Sequence, residues 1–247
     1  MHQSTRLNIE YIVYELYKHI FCISSITMSF DYTTLEPAST IHDYITKIIY
    51  INLDRRTDRR EHIESQFRQS NISNYERFSA IERPPGQGIV GCGYSHLEVL
   101  RLARERKYPN ILIMEDDFEF MVSPEEFICQ LQLFFESPAG KNYDVCMLGY
   151  NLHEMSECPE TPWVHRVRYA QTASAYIVHS RYYDSLIELY EWAIPRLEQT
   201  GQHWIYANDV VWKDLQASDT WYCFSKRVGK QIAGFSDNAG CYMHHNC

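Results

Sequence analysis

The stretch Asn110-Ile111-Leu112-Ile113-Met114 runs directly into Glu115-Asp116-Asp117. An apolar run of this length without alternation is the pattern of a strand covered on both faces, and it stops abruptly at three acids. Working outward, Lys47-Ile48-Ile49-Tyr50-Ile51-Asn52-Leu53 repeats the pattern and predicts the first strand of the same sheet. Residues 58–69 carry Ile63 and Phe67 one helical turn apart among polar neighbours, as in a helix laid over a sheet. A strand is predicted at 77–81. It leads through Pro84-Pro85-Gly86-Gln87-Gly88 to a turn at Gly91-Cys92-Gly93-Tyr94-Ser95-His96, after which Leu97, Leu100 and Ala103 mark a helix.

Beyond the acids, Ser123-Pro124-Glu125-Glu126 combines an N-cap serine, a proline at the first helical position and a glutamate three residues on, predicting a helix to about 137. Strands are expected at 144–148, 163–170 and 173–179, and a helix at 182–197 disturbed at Pro195. Strands and helices alternate, so the fold class is α/β: a Rossmann-type single domain over 43–247 with a mainly parallel sheet. Ligands of such sheets bind beyond the carboxyl ends of the strands. Residues 1–42 are read as an N-terminal appendage.

Composition narrows the function. In 247 residues, 45% are apolar and 22% charged, ordinary globular proportions that suit one large domain. The net charge of −9 argues against a nucleic-acid-binding surface, which needs a broad basic face. Eight cysteines occur without a Cys-x-x-Cys pair, which argues against a zinc ribbon or finger. Cys129 and Cys146, inside apolar stretches, are expected as buried free thiols in a reducing compartment. Glu10 and Glu15 interrupt the apolar N-terminus, and the run 20–30 falls short of the ~20 apolar residues that span a bilayer. A cytoplasmic protein is expected, with peripheral membrane association if its substrate is lipid-linked.

Three adjacent carboxylates repel one another unless water or a cation reaches them. In extended backbone, Glu115 and Asp117 would face one side and Asp116 the other, giving two oxygen ligands for one ion. Hard ions such as Mn²⁺ or Mg²⁺ take a few carboxylates and fill their shells with water and phosphate oxygens, as a nucleoside diphosphate would supply. The same acids could equally do no more than solvate a strand end. Arg55, Arg56, Arg59 and Arg60 form a basic strand-to-helix turn able to grip phosphate. It also reads as a solvated first helical turn. Ser95 and His96 are adjacent, which does not suit a nucleophile and its base, so positioning roles are expected, or packing for His96.

Taken in order, Ile49-Tyr50-Ile51-Asn52-Leu53-Asp54-Arg55 with Arg59-Arg60-Glu61, Gly91-Cys92-Gly93-Tyr94-Ser95-His96-Leu97, and Ile113-Met114-Glu115-Asp116-Asp117 resemble the motifs of glycosyltransferase family 25. That family includes lipooligosaccharide galactosyltransferases and procollagen hydroxylysine galactosyltransferases. Weaker echoes at 172–178, Gln231 and Ser236-Asp237 extend the likeness over roughly 47–240. Two features depart from it: Gly93-Tyr94 before the serine, and His244-His245-Asn246-Cys247 in place of an endoplasmic-reticulum retention tetrapeptide.

The resemblance implies a GT-A-like fold, a UDP-sugar donor, a divalent metal, and inverting transfer of galactose or glucose. The acceptor would be a hydroxyl on a glycan, a lipid-linked glycan or a hydroxylysine-bearing protein. By position it puts Asn52, Leu53 and Arg59 or Arg60 near the nucleotide, with Ser95, His96 and Asp116 beside it, and Glu115 and Asp117 on the metal. Inversion needs a base for the acceptor hydroxyl; Asp209, at an expected helix start, is the first candidate and Asp237 the second. Asp237, His244 or His245 could add a metal ligand, and Trp163, Trp204 and Tyr206 could stack on a sugar. A catalytically inactive homologue that binds a nucleotide sugar or glycan is the alternative.

Overall fold

The structure is a computed structural model in which residues 40–236 and 241–243 are described. Its elements in chain order are β1 (Lys47–Asn52), α1 (Thr57–Gln69), β2 (Tyr75–Ser79), α2 (Gly88–Glu105), β3 (Asn110–Glu115), β4 (Phe118–Phe120), α3 (Pro124–Glu136), α4 (Pro138–Lys141), β5 (Val145–Met147), β6 (Asn151–Glu157), β7 (Val164–Gln171), β8 (Ala175–His179), α5 (Tyr183–Thr200), α6 (His203–Tyr206), α7 (Asn208–Val211), α8 (Lys213–Ser218), β9 (Trp221–Phe224), β10 (Gly229–Gln231), β11 (Gly234–Ser236) and β12 (Cys241–Met243). A 3-10 turn at Ile41–Asp43 precedes them, and its Ile41 is buried.

An eight-stranded sheet of order β2-β1-β3-β8-β5-β9-β7-β6 forms the centre of a mixed α/β fold. β1 pairs in parallel with β2 and β3, and β5 with β9; β7 and β8 run against their neighbours. The other strands point one way, as expected of a mainly parallel sheet. Side chains of β1 and β3 alternate between two cores: Ile49, Ile51, Ile111 and Ile113 enter one with Leu97 of α2 and Ile194 of α5. Ile48, Tyr50, Leu112 and Met114 enter the other with Phe67 of α1 and Phe134 of α3. Burial on both faces explains the continuous apolar runs, because no position from 48 to 51 or from 111 to 114 faces water. The edge strand β6 is mostly exposed and irregular in register, which disfavours further pairing.

Several expectations change. Residues 91–96 are not a turn but lie inside α2, which starts at Gly88. The glycines serve close approach: a Cβ on Gly91 would lie 2.3 Å from the Ile81 carbonyl oxygen, and one on Gly93 would lie 3.1 Å from Ile194 Cγ1. α5 continues through Pro195 to Thr200 and ends at Gly201 with φ +69°, a left-handed C-cap. Cys146 is buried as expected, whereas Cys129 is exposed, two positions beyond buried Phe127 and so turned off the core-facing stripe of α3. The short strands β4 and β10 to β12 carried no apolar run to find them by. No described helix is long and apolar enough to cross a membrane.

Candidate functional site

β1 and β3 are parallel neighbours, with Ile51 opposite Glu115, so Asn52 and the acids reach the same sheet edge. β8 runs the other way, which brings its approach segment 172–174 to that edge, and the Glu115 amide donates to the Ser174 carbonyl at 2.8 Å. A cleft of about 680 Å³ opens there, lined among others by Leu53, Arg59, Glu115, Asp116, Asp117 and Asp209.

β3 ends at Glu115, and Asp116 and Asp117 lie in a turn, so strict strand alternation does not hold past Glu115. Both groupings of the acids result. Glu115 and Asp117 share the Gln231 amide nitrogen, which donates to Glu115 Oε2 at 3.1 Å and Asp117 Oδ1 at 3.4 Å. Asp116 and Asp117 share Arg59, whose Nη1 lies 3.2 Å from Asp116 Oδ1 and 2.8 Å from Asp117 Oδ2. Arg59 also donates through Nη2 to the Phe235 carbonyl at 2.8 Å. The Gln231 placement follows from the antiparallel β4/β10 pair, which sets Gln231 opposite Phe118.

Asn52 is buried and lies behind the acids. Its Nδ2 donates to Asp116 Oδ2 at 2.7 Å and its Oδ1 accepts from Arg77 Nε at 2.9 Å, so it supports the turn while Leu53 lines the cleft. Arg59 also lines the cleft, whereas Arg60 points along α1 to Glu64 at 3.0 Å. Ser95 Oγ donates to the Gly91 carbonyl at 2.7 Å and accepts from the Ile81 amide at 2.8 Å, a buried brace of α2. His96, also buried, places Nε2 3.1 Å from Glu115 Oε1 and Nδ1 2.8 Å from the Tyr176 hydroxyl. Ser95 and His96 therefore lie behind the cleft wall, Ser95 bracing α2 and His96 bonded to Glu115.

Asp209 lies in the first turn of α7 at the cleft wall, where its Oδ2 accepts from the Thr172 amide at 3.1 Å. Thr172 has φ +83°, a costly conformation for a β-branched residue and a common mark of functional segments. Asp237, His244 and His245 lie outside the described residues. Trp204 is exposed on α6, just before Asp209, and Tyr206 of the same helix is partly buried against the α2/α5 core, while Trp163 packs against the core on the α1/α3 side of the sheet.

Charge at the site is set by burial against pairing. Burial pushes Asp117 up to about 7, reinforced by Glu115 and opposed by Arg59. Asp116 is raised by burial despite Arg59 and Asn52. Glu115 is lowered: burial works to raise it, and the His96 and Cys92 hydrogen bonds with the Arg59 charge outweigh that. Burial also raises Asp209, against the Thr172 amide. The two oxygens that converge on one Gln231 nitrogen are of the type a hard divalent cation takes, and Glu115 and Asp117 could serve it as carboxylate ligands.

With this geometry in view, comparison with known proteins gives one curated match. A protein of Acanthamoeba polyphaga mimivirus, described as a "putative glycosyltransferase", is 34% identical over 110 residues, 36% of this chain and 34% of the relative. The chain thus spans about a third of that relative's length. No protein-family model matches the chain. Among solved structures, a glycosyltransferase involved in glycosylation of the major capsid of PBCV-1 is similar at a TM-score of 0.47 and 8% identity, over 78% of this chain and 95% of that one. The galactosyltransferase LgtC, solved with donor and acceptor sugar analogues, is similar at 0.35 and 11%, over 68% and 70%. These are partial likenesses.

Sequence reasoning gave no role to three residues that the structure places at the site. Thr172 stood within the faint echo at 172–178, and its strained backbone angle is visible only in the structure. Gln231 appeared as a faint echo, and Cys92, 3.4 Å from Glu115 Oε1, stood inside a motif valued for its glycines and histidine.

Proposed function

We propose that this protein is a GT-A-type glycosyltransferase that transfers a hexose, galactose or glucose, from a UDP-sugar to a hydroxyl of a glycan or glycan-bearing acceptor, with inversion and with a divalent metal. The observation that carries the reading is the convergence of Glu115 Oε2 and Asp117 Oδ1 on one donor at the carboxyl end of β3, inside a cleft of about 680 Å³. The family 25 motifs and the mimivirus relative's description support it.

Glu115 and Asp117 would hold Mn²⁺ or Mg²⁺, which when bound would neutralise charge on the departing diphosphate. Arg59 balances the acidic turn and presents a guanidinium edge to the cleft, where it can also meet a phosphate oxygen. Asp209, raised by burial, takes the proton of the acceptor hydroxyl as that oxygen attacks the anomeric carbon and the bond to the diphosphate breaks. The Thr172 amide fixes the carboxylate for this task. Trp204 and Tyr206, beside Asp209 in sequence, offer rings for an acceptor sugar.

The test is UDP release from a panel of UDP-sugars, with Mn²⁺ and then with chelator, for the wild type and Asp117→Asn. Metal-dependent release from one donor, lost in the variant, is expected. UDP-sugar binding without release, after an acceptor screen, would instead identify an inactive binding homologue.

A further inference from the structure

Cys92 and His96 stand four residues apart on α2, the spacing that puts two side chains on one helix face. Both converge on Glu115. Cys92 Sγ lies 3.4 Å and His96 Nε2 3.1 Å from Glu115 Oε1, and the three ligand atoms all fall within 4.8 Å of one another. Metal–sulfur bonds of ~2.3 Å and metal–nitrogen or –oxygen bonds of ~2.0–2.1 Å give tetrahedral edges of about 3.3–3.6 Å. Both measured separations to Glu115 are within about 0.3 Å of those edges. The Tyr176 hydroxyl, 2.8 Å from His96 Nδ1, holds the ring with Nε2 toward the carboxylate, in the place that a carboxylate, carbonyl or water commonly takes behind a metal-binding histidine. Cys92 and Glu115 both line the cleft, which leaves one side of the cluster open to water or ligand.

We propose that Cys92, His96 and Glu115 form a site for a thiophilic divalent cation of the Zn²⁺ class, bound by Sγ, Nε2 and Oε1 with a fourth position open to the cleft. Sulfur and imidazole select such an ion over Mg²⁺ or Mn²⁺, which prefer oxygen. On binding, the thiol proton passes to water and the sulfur–metal bond replaces the sulfur–hydrogen bond. Glu115 is shared with the acidic turn through its other oxygen, so Zn²⁺ on Oε1 sets a second dication beside the hard-metal site, weakens Mn²⁺ binding there by charge repulsion and inhibits transfer. That consequence, unlike the site itself, rests on the glycosyltransferase reading.

Co²⁺ alone, titrated into chelator-treated protein, should give one equivalent of a species with visible bands of four-coordinate cobalt and a near-ultraviolet thiolate-to-cobalt band. The near-ultraviolet band should disappear in Cys92→Ser and persist in Asp117→Asn. X-ray absorption of the wild-type Zn²⁺ protein should show one sulfur at ~2.3 Å. A shell of oxygen and nitrogen only, a band unchanged in Cys92→Ser, or a band lost in Asp117→Asn would each overturn the site. These spectra need no turnover, so they stand apart from the UDP-release result.

Discussion

Arg59 Nη1 and Asp117 Oδ2 lie 2.8 Å apart, with side chains only 14% and 7% exposed, and this pair ties the first turn of α1 to the acidic turn after β3. Removing one partner of a buried pair leaves the other charge uncompensated and costs about 3–5 kcal/mol. Arg59→Met should therefore lower stability by about that amount in urea unfolding at pH 8. The loss should shrink toward pH 5, where protonated Asp117 no longer needs its partner. An equal loss at both pH values would show that the guanidinium acts by packing alone.

The raised Asp117 sets a pH dependence of stability in chelator. Its folded pKa of about 7 lies above the unfolded value near 3.9, so the native state holds the proton more tightly. Stability from this group is present in full below the unfolded value and is lost as pH rises through about 7, at most about 1.4 kcal/mol per pH unit. Wild type should lose urea resistance between pH 5 and 7 relative to Asp117→Asn. Mn²⁺ competes with the same proton, so its affinity should rise with pH over that window and level off above it.

Asp209→Asn should keep the fold and lower kcat by about 10²–10⁴, with the donor KM little changed, because a general base acts in the transition state and not in donor binding. A rise in donor KM at constant kcat would remove Asp209 from the base role.

Thr172→Gly relieves a left-handed conformation in a β-branched residue, so unfolding should be harder by about 1 kcal/mol. The looser backbone holds its amide on Asp209 less firmly, and kcat should fall despite the gain in stability. Paired thermal melts and rates check this opposition.

Gly229→Ala probes the support of Gln231. A Cβ there would lie 2.1 Å from Phe118 Cζ and 2.5 Å from the Glu119 carbonyl oxygen, forcing β4 and β10 apart at a cost of about 1–3 kcal/mol. Mn²⁺ affinity, read by calorimetry, should weaken with it.

The apolar runs 48–51 and 111–114 determined by themselves that two strands are buried on both faces, and so that the fold is α/β with helices on each side. The acids after the second run marked the functional edge, because carboxylates at a buried strand's end need a partner. Local chemistry of that kind is written in neighbouring residues.

Pairings between distant residues are not written there. Gln231 meets Glu115 across 116 positions through a three-residue strand too short to carry periodicity. The choice of Arg59 over Arg60 depends on how α1 is rotated about its axis once Ile63 and Phe67 are buried. Gly91 and Gly93 look like turn residues in sequence, yet they lie inside α2 and let the Ile81 carbonyl and Ile194 come close, and only that helix brings Cys92 and His96 onto one face toward Glu115. The sequence by itself settled what each segment can bury, since burial follows local pattern. The tertiary structure alone decided which polar groups meet, since that depends on packing contacts far apart along the chain.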